Sequence, residues 1–452
     1  MKTSPHTISR RRFITATALA GAAVSLQPRR SFAAATGAPQ KIRLGLIGCG
    51  GRGCGAAGDA LLADPATELV AIADLFQDRL DSFEENLPDR LQRRLRENGA
   101  SASAADIGEM IRKRVHIPRD RRFVGWDAYQ HLCSVDEVDV VLMAAPPVFR
   151  PLHLEAALAA GKHVFMEKPV CVDPVGARKM LELADLADAR KLCVVAGTQR
   201  RHQASYIEGI NRLRDGQIGE IVGAQCYWMM GGYVGANLKA TEIDVGEIIY
   251  QIRNWPLFVW TSGDHIVEQH VHNIDIVLWA LGRLPVGCMA EGGRGVDLPM
   301  PAYGNRFSHF AAEFDFGDNL VAASYCRQER GTIWRVGERI VGTKGALIFE
   351  GRKAAIAGEN PWQFEGDELS PYVQEHKDLI AAIRSGEHIN ETRTVTESCV
   401  AAMLGRESAY TGRTIKYDWL LHRSAKDLTP DTWAAGPHAI DPLPIPGKTP
   451  LV

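Results

Sequence analysis

Short apolar runs alternate with helix-like periodic stretches between residues 41 and 198. Strands that alternate with helices predict an α/β domain built on a doubly wound parallel sheet. A polar insert at residues 82–122 interrupts this pattern, and we expect it to be a partly helical excursion. The predicted strands are residues 41–50, 68–73, 138–144 and 163–166, and the predicted helices are residues 56–62 and 154–160.

The pattern changes after Gln199, where extended stretches follow one another with turn residues between them. Gly317-Asp318-Asn319 is a hairpin signal, and residues 342–345 form a second turn between strands. Thr394 and Glu397 have the spacing of a capping box before an apolar-periodic helix. We therefore expect a second, α+β domain over 199–418 with a large, mostly antiparallel sheet, followed by an extended arm over 419–452.

The first 35 residues have a pattern of their own. They contain six Lys and Arg residues and no acid, and Arg10-Arg11-Arg12-Phe13 precedes a weakly apolar stretch and the small residues 33–35. A basic head, a short apolar core and a small-residue cleavage site are the parts of an export signal. The paired arginines resemble a twin-arginine signal. We expect a signal peptide over 1–35, the twin-arginine translocase as a partner, a periplasmic or otherwise exported protein, and no membrane anchor after processing.

The net charge also distinguishes residues 1–35 from the rest of the chain. The chain of 452 residues has 52 Lys+Arg against 54 Asp+Glu, a formal net charge of −2, and removing the six basic residues of 1–35 leaves −8. An acidic mature chain lacks the basic excess of a nucleic-acid binder, and 46% hydrophobic residues exclude a disordered chain. The nine cysteines include no Cys-x-x-Cys pair, so we interpret them as small core residues.

A glycine-rich loop marks the predicted cofactor site. It follows the first predicted strand, opens a helix, and is followed by Asp74 at the end of the second strand. Such glycines let the backbone approach a pyrophosphate, and an acid at this place accepts hydrogen bonds from the adenosine ribose and repels a 2′-phosphate. The sequence therefore predicts a Rossmann domain that prefers NAD to NADP. The loop residues assigned to the cofactor are Gly48, Cys49, Gly50, Gly51, Arg52 and Gly53.

Glu167-Lys168-Pro169, directly after a strand, completes a recognisable set with the glycine loop, Asp74 and Ala145-Pro146-Pro147. Together these motifs resemble the Gfo/Idh/MocA family of NAD(P)-dependent sugar and polyol oxidoreductases. The resemblance covers nearly all of residues 41–420. It implies that Lys168 reaches the nicotinamide and the substrate hydroxyl, and that Pro146 and Glu167 contact the cofactor.

A second cluster lies at residues 264–281. Read as one helix, it has an apolar stripe and places Glu268 and His272, four residues apart, on an adjacent face. The spacing of Glu268, His272 and Asp275 resembles the family pattern, which usually has Asp at the first position. The resemblance implies that His272 is the general acid/base and that Glu268 positions the substrate or tunes His272. Buried core histidines and a metal site are the alternatives, and we expect no metal.

Several other residues are candidates for substrate contact. Arg201 begins the second domain, where the family places a residue facing the site. Arg150 is a departure from the family, which commonly has histidine after the Pro-Pro turn, and we assign it no contact. Aromatic and planar hydrogen-bonding groups suit a sugar surface, which makes Tyr233, Arg253 and Trp255 candidates for a small-molecule carbohydrate.

Export restricts the expected chemistry because free NAD is not recycled outside the cytoplasm. We expect an oxidoreductase with tightly bound NAD that transfers hydride between a carbohydrate hydroxyl carbon and nicotinamide. A redox-neutral glycosidase resembling the NAD-dependent α-N-acetylgalactosaminidases is the alternative, although residues 230–235 lack the Gly-Gly-His-Gly loop of those enzymes. A non-catalytic NAD-binding protein is a third hypothesis. Family members often pair through the open sheet, which predicts a homo-oligomer.

Overall fold

The computed structural model of the protein describes residues 40–232, 243–295 and 300–452. The predicted signal peptide at 1–35 and the candidate residue Tyr233 lie outside these ranges. Within them, no helix combines the length and the apolar character that crossing a membrane requires.

The first domain is built on a six-stranded parallel sheet in the order β3-β2-β1-β4-β5-β6. The predicted doubly wound α/β architecture is therefore confirmed. The strands are β1 (Ile42–Ile47), β2 (Thr67–Asp74), β3 (Arg122–Val124), β4 (Val140–Met143), β5 (His163–Met166) and β6 (Val194–Ala196). The helices are α1 (Gly51–Ala63), α2 (Gln77–Glu97), α3 (Ala104–Arg114), α4 (Ala128–Cys133), α5 (Arg150–Ala159) and α6 (Pro174–Ala189).

The polar insert at 82–122 is partly helical and contains most of α2 and all of α3. The buried face of α2 packs against α1. The Ser103 hydroxyl accepts a hydrogen bond from the N–H of Asp106, and the Asp106 side chain accepts one from the N–H of Ser103, which makes a capping box for α3. The insert thereby covers one side of the glycine-loop helix.

The second domain contains a nine-stranded sheet in the order β14-β13-β12-β11-β7-β10-β9-β8-β15. Only β7 and β10 pair in parallel, so the predicted, mostly antiparallel sheet is confirmed. The strands are β7 (Ile221–Met230), β8 (Gly287–Gly293), β9 (His309–Asp315), β10 (Val321–Gln328), β11 (Arg335–Gly342), β12 (Gly345–Glu350), β13 (Lys353–Gly358), β14 (Trp362–Gln363) and β15 (Ile415–Lys416).

Helices cover one face of this sheet and connect the two domains. They are α7 (Ala204–Arg214), α8 (Ile248–Arg253), α9 (Val259–Ser262), α10 (His265–Glu268), α11 (Val271–Leu281), α12 (Pro371–Ser385), α13 (Thr392–Thr411) and α14 (Tyr417–Arg423). Helix α12 packs against α1, and α13 packs against both α6 and β8. The glycine-loop helix is therefore held from both domains.

The predicted capping box at Thr394 is wrong. Helix α13 already begins at Thr392, and the side chain of its N-cap residue, Glu391, makes no capping hydrogen bond. The helix ends at Thr411, before Gly412, which has a φ of +69°. Residues 424–452 contain no helix or strand and lie against the second domain. All nine cysteines are buried free thiols, in agreement with their interpretation as core residues.

Candidate active site

The glycine loop between β1 and α1 has no room for side chains at two positions. Gly48 has a φ of +94°, and a Cβ there would lie 2.4 Å from the backbone nitrogen of Ala145. A Cβ at Gly53 would lie 1.7 Å from the carbonyl oxygen of Gly48. Contacts this short exclude any larger residue without movement of the backbone. These glycines let the loop fold tightly between the ends of β1 and β4.

Asp74, at the end of β2, is bonded to the loop. One carboxylate oxygen accepts a hydrogen bond from the N–H of Cys49 at 2.7 Å, and the other accepts one from the N–H of Phe76 at 2.9 Å. Burial raises the pKa of Asp74, although these two hydrogen bonds act in the opposite direction. Asp74 thus fixes the loop and lies beside it, as the sequence predicts.

A pocket of about 290 Å³ opens over the loop and extends to Asp74. A Cβ at Gly50 would meet no atom within 4 Å, so the backbone is open to the pocket at that point. Helix α1 begins at Gly51 without a side-chain cap, which leaves its N-terminal N–H groups available to an anion. An open backbone, an uncapped helix and an acid at the end of β2 fit a dinucleotide. The lining residues include the predicted Gly48, Gly50, Gly51, Arg52, Asp74 and Pro146.

Arg52 and Glu167 are bonded to each other. The Arg52 Nε donates to a Glu167 carboxylate oxygen, and its Nη atoms lie 3.4 Å from Asp59 and 3.6 Å from Glu375 of α12. Glu375 is fully buried, and burial followed by the neighbouring Glu167 raises its pKa well above the ordinary value. The guanidinium group of Arg52 therefore connects the glycine loop to the strand end that precedes Lys168.

Lys168 precedes Pro169, and the peptide bond between them is cis. Its Nζ donates a hydrogen bond to the main-chain carbonyl oxygen of Glu268. Burial lowers the pKa of Lys168, while the carboxylates of Glu268 and Glu167 act in the opposite direction. Lys168, from the first domain, therefore contacts the predicted cluster at residues 264–281 of the second domain.

The prediction of one continuous helix over this cluster is wrong. Helix α10 ends at Glu268, α11 begins at Val271, and the N–H of His270 bonds back to the carbonyl of His265 at 3.0 Å. The break gives Lys168 access to the carbonyl of Glu268, because the helix does not use that oxygen in a regular i to i+4 bond. Lys168 nevertheless bonds to the main chain of Glu268, and its positive charge acts to lower the pKa of both the Glu268 carboxyl group and His272.

His272 is buried near the start of α11. Its ring lies 5.9 Å from that of Trp228 on β7, with 26° between the planes, and its Nδ1 is buried without a hydrogen-bond partner among the described residues. Burial and the positive charge of Lys168 lower its pKa well below the ordinary value, which keeps the imidazole neutral. Burial also raises the pKa of Glu268, whose Oε1 accepts a hydrogen bond from Gln269 at 2.6 Å.

Of the three predicted substrate residues that the structure describes, Arg253 and Trp255 line one pocket and Arg201 lies outside it. Arg201 makes a two-pronged ion pair with Asp275, with N–O distances of 2.8, 2.9 and 3.1 Å. Arg253 donates two hydrogen bonds to Asp78 and, like Trp255, lines the pocket of the glycine loop. The structure therefore places Arg253 and Trp255 beside the predicted cofactor residues.

Arg150, which departs from the family pattern, is buried behind the pocket. Its Nε donates to the carbonyl of Glu167 at 2.9 Å, and its Nη2 donates to the carbonyl of Ala145 at 2.8 Å. Burial lowers the pKa of Arg150 to about 10. Arg150 thus ties the turn after β4 to the turn after β5.

Trp228 is a site residue that the sequence does not single out, because its position depends on pairing within the second sheet. In the described parts of the chain, no group of three or more His, Cys, Asp or Glu side chains is arranged to hold a metal ion.

Comparison with known proteins identifies the first domain. The model of the oxidoreductase family with an NAD-binding Rossmann fold, Gfo/Idh/MocA, matches residues 42–196. The similarity to this family thus covers the whole of the first sheet. The match includes the glycine loop, Asp74 and the Glu167-Lys168-Pro169 motif.

The chain is also similar to individual proteins beyond its first domain. It is 29% identical over 365 residues to the dTDP-3,4-didehydro-2,6-dideoxy-alpha-D-glucose 3-reductase of Actinomadura kijaniata, covering 76% of this chain and 95% of the relative. An inositol 2-dehydrogenase/D-chiro-inositol 3-dehydrogenase of Shouchella clausii is 25% identical over 41% of this chain and 46% of the relative. A glycosyl hydrolase family 109 protein of Streptomyces coelicolor is 23% identical over 43% of this chain and 34% of its own length.

Solved structures of similar fold cover most of the chain. The aldose-aldose oxidoreductase of Caulobacter crescentus, complexed with glycerol, has a TM-score of 0.63 and 16% identity, covering 83% of this chain and all of the other. A 3-ketoreductase from Actinomadura kijaniata with NADP and TDP-benzene has a TM-score of 0.60 and 20% identity, covering 82% and 98%. At these identities the likeness shows the fold, which the chain shares over both domains.

Proposed function

We propose that the protein is an exported sugar or polyol oxidoreductase that retains NAD and transfers hydride between a carbohydrate hydroxyl carbon and the nicotinamide. The observation that carries this proposal is the meeting of Lys168, Glu268 and His272. Lys168 comes from the NAD-binding domain and the other two from the second domain. A site shared in this way suits a reaction between a cofactor and a second molecule.

The glycine loop and Asp74 would hold the dinucleotide, and bound NAD supplies a hydride acceptor. His272 is neutral, and neutral imidazole is the form that accepts the proton of a substrate hydroxyl. The Lys168 ammonium group would orient that oxygen and stabilise the negative charge it gains. Glu268 would position the substrate, and its hydrogen bond from Gln269 fixes the carboxylate.

Export is part of the proposal and rests on the twin-arginine pattern of residues 1–35. An enzyme that released NADH outside the cytoplasm would stop after one turnover. We therefore propose that the cofactor stays bound and is reoxidised by a second sugar or by an external electron acceptor. The fold shared with an aldose-aldose oxidoreductase is in keeping with the first route.

A carbohydrate substrate is supported by the named activities of the relatives, which include a sugar 3-reductase and an inositol dehydrogenase. NAD is favoured over NADP because Asp74 would repel a 2′-phosphate. Structures of similar fold contain NAD in one case and NADP in another, so the preference rests on Asp74.

A redox-neutral glycosidase is the second candidate, and the observation in its favour is the relatives named glycosyl hydrolase family 109 proteins. In that reaction, oxidation at C3 acidifies the C2 proton, elimination releases the aglycone, and water addition and re-reduction follow. The same Lys168 and His272 would serve both chemistries. A non-catalytic NAD-binding protein would not need these two residues beside Glu268.

We also infer that the protein forms a homo-oligomer through the open face of the nine-stranded sheet. This face exposes Met289 (58%) and Tyr325 (39%), and the Tyr325 ring stacks on that of Tyr227 at 5.7 Å. Light scattering coupled to size-exclusion chromatography tests this. A Met289→Lys variant that remains associated, or a wild-type monomer, would contradict pairing through this face.

The deciding experiment incubates the purified protein with free sugars and with p-nitrophenyl glycosides while recording nicotinamide absorbance and aglycone release. Absorbance change without release supports the oxidoreductase, and release without net redox change supports the glycosidase. Acid denaturation should release NAD, and a protein isolated empty that binds NAD weakly would contradict retention.

Variants assign the site. Lys168→Ala and His272→Ala should each abolish turnover and leave the fold and bound NAD largely intact. Lys179→Ala and His388→Ala remove the same residue types from ion pairs elsewhere, with Glu155 and Asp188, and should leave turnover unchanged. Full activity in either site variant would exclude the proposed roles.

A further inference from the structure

A short segment of the second domain closes one side of the predicted cofactor pocket. Ile252, Arg253 and Trp255 line the pocket together with the glycine loop and Asp74. This segment therefore has to be in place before the pocket is complete.

Arg253 fastens the segment to the first domain. Its two Nη atoms donate to the two carboxylate oxygens of Asp78 at 2.6 and 2.9 Å, and its guanidinium carbon lies 3.9 Å from the ring centre of Phe76. Asp78 lies in the first turn of α2, four residues after Asp74. A planar guanidinium group that forms a bidentate ion pair and stacks on an aromatic ring is held in one orientation. The contact lies at the end of the pocket that Asp74 marks.

Residues 424–452, which we call the strap, hold the same segment from outside. The N–H of His438 donates to the carbonyl of Gly246 at 2.7 Å, and the N–H of Ile248 donates to the carbonyl of Gly436 at 3.0 Å. Gln251 adds a side-chain hydrogen bond to the carbonyl of His438 at 2.8 Å. The strap thus pairs with the backbone just before Arg253.

The strap also contacts the first domain. The ring centre of Trp433 lies 4.7 Å from that of Phe149 and 6.3 Å from that of Trp126, and both of these residues line the pocket. Near the base of the strap, the N–H of Leu428 donates to the carboxylate of Asp173 at 3.1 Å. Trp433 therefore spans from the strap to two walls of the pocket.

We propose that the strap and Arg253 act as a cofactor-retaining clasp, in which Trp433 and the Arg253–Asp78 pair keep the segment at 246–257 closed over bound NAD. This inference rests on the NAD binding in the proposed function and explains how the cofactor would stay bound. Release of the dinucleotide then requires the ion pair to open and Trp433 to leave Phe149.

The test is a chase measurement on the full mature chain. Protein loaded with NADH is mixed with excess NAD⁺, and the loss of bound-NADH fluorescence gives the dissociation rate. Arg253→Gln and Trp433→Ala should each raise this rate about tenfold, the factor that corresponds to about 1.4 kcal/mol. Trp433→Phe, which keeps an aromatic contact, should retain the slow release. The matched controls Arg283→Gln, from an exposed pair with Asp318, and Trp362→Ala, on β14, should release NADH as the wild type does.

Unchanged dissociation in both Arg253→Gln and Trp433→Ala would overturn the clasp, and so would equal acceleration in the controls. Sugar-dependent reduction of the bound NAD, recorded in the same preparations, reports separately on the proposed function. A wild type that is reduced by sugar but exchanges NADH as fast as the variants refutes the clasp alone. A protein that binds no NAD refutes both.

Discussion

Because Arg201 forms an ion pair with Asp275, replacing Arg201 has different expected effects if its role is structural and if it binds substrate. The Asp275 carboxylate is 1% exposed and lies one turn after His272 on α11. Its other partner is the Ser398 hydroxyl, which donates at 2.7 Å. Replacing Arg201 with Ala leaves this carboxylate buried with one hydrogen bond.

Breaking a buried pair from one side costs about 3–5 kcal/mol. The remaining Ser398 bond and the partial exposure of Arg201, 17% of its side chain, place the expected cost near the lower figure. For a cooperative unit of about 200 residues, each kcal/mol lowers Tm by about 2–4 °C, so Arg201→Ala should lower Tm by about 6–12 °C.

The assay is thermal unfolding followed by circular dichroism, together with sugar titration of the reductive half-reaction. Arg393→Ala is the matched control, because Arg393 forms an exposed pair with Asp185 that is expected to contribute at most about 1 kcal/mol. A structural Arg201 gives a large fall in Tm with KM nearly unchanged at a temperature where the variant is folded. An unchanged Tm with a large rise in KM would refute the reasoning and restore Arg201 as a substrate contact.

Three further outcomes are expected. Burial and the charge of Lys168 lower the pKa of His272 below 6.5, and burial lowers the pKa of Lys168 below 10.5. Because His272 must be neutral and Lys168 charged, kcat/KM should fall on the acid side only below pH 6.5 and on the alkaline side before pH 10.5. An acid limb centred above pH 7 would contradict these roles. Gly53→Ala, whose methyl group would meet the Gly48 carbonyl, should weaken NAD binding about tenfold or more in a fluorescence titration. Asp74→Ser should reduce the preference for NAD over NADP by about tenfold, measured as the ratio of the two dissociation constants.

Local sequence was sufficient for the parts of the site that depend on local backbone geometry. The glycine loop and Asp74 follow from a strand, a tight turn and the next strand, and the structure places them together at one pocket. The break between Glu268 and Val271 was not predictable, because the apolar stripe continues through it. The start of α13 was misplaced for a related reason, since Thr394 and Glu397 have the right spacing but the helix begins two residues earlier.

Residues whose position depends on distant partners were predicted least well. Arg201 precedes helix α7 and Arg253 ends helix α8, and nothing in their immediate sequence shows which acid each arginine pairs with. One pairs with Asp275, 74 positions away, and the other with Asp78, 175 positions away. The folding of the second domain brings Arg201 to Asp275, and the packing of the two domains brings Arg253 to Asp78.

The charge balance around Arg52 explains why retention of the cofactor would depend on the covering segment. Arg52 lines the pocket, yet its guanidinium is paired with Glu167 and shares Asp59 with Arg94. The raised pKa of Glu375 leaves that neighbour uncharged. The pairing neutralises the positive charge of Arg52, so an anionic pyrophosphate would be held there mainly by backbone N–H groups of the loop and of α1. Backbone donors position the pyrophosphate, so the slow release that we propose would have to come from the side chains that cover the pocket.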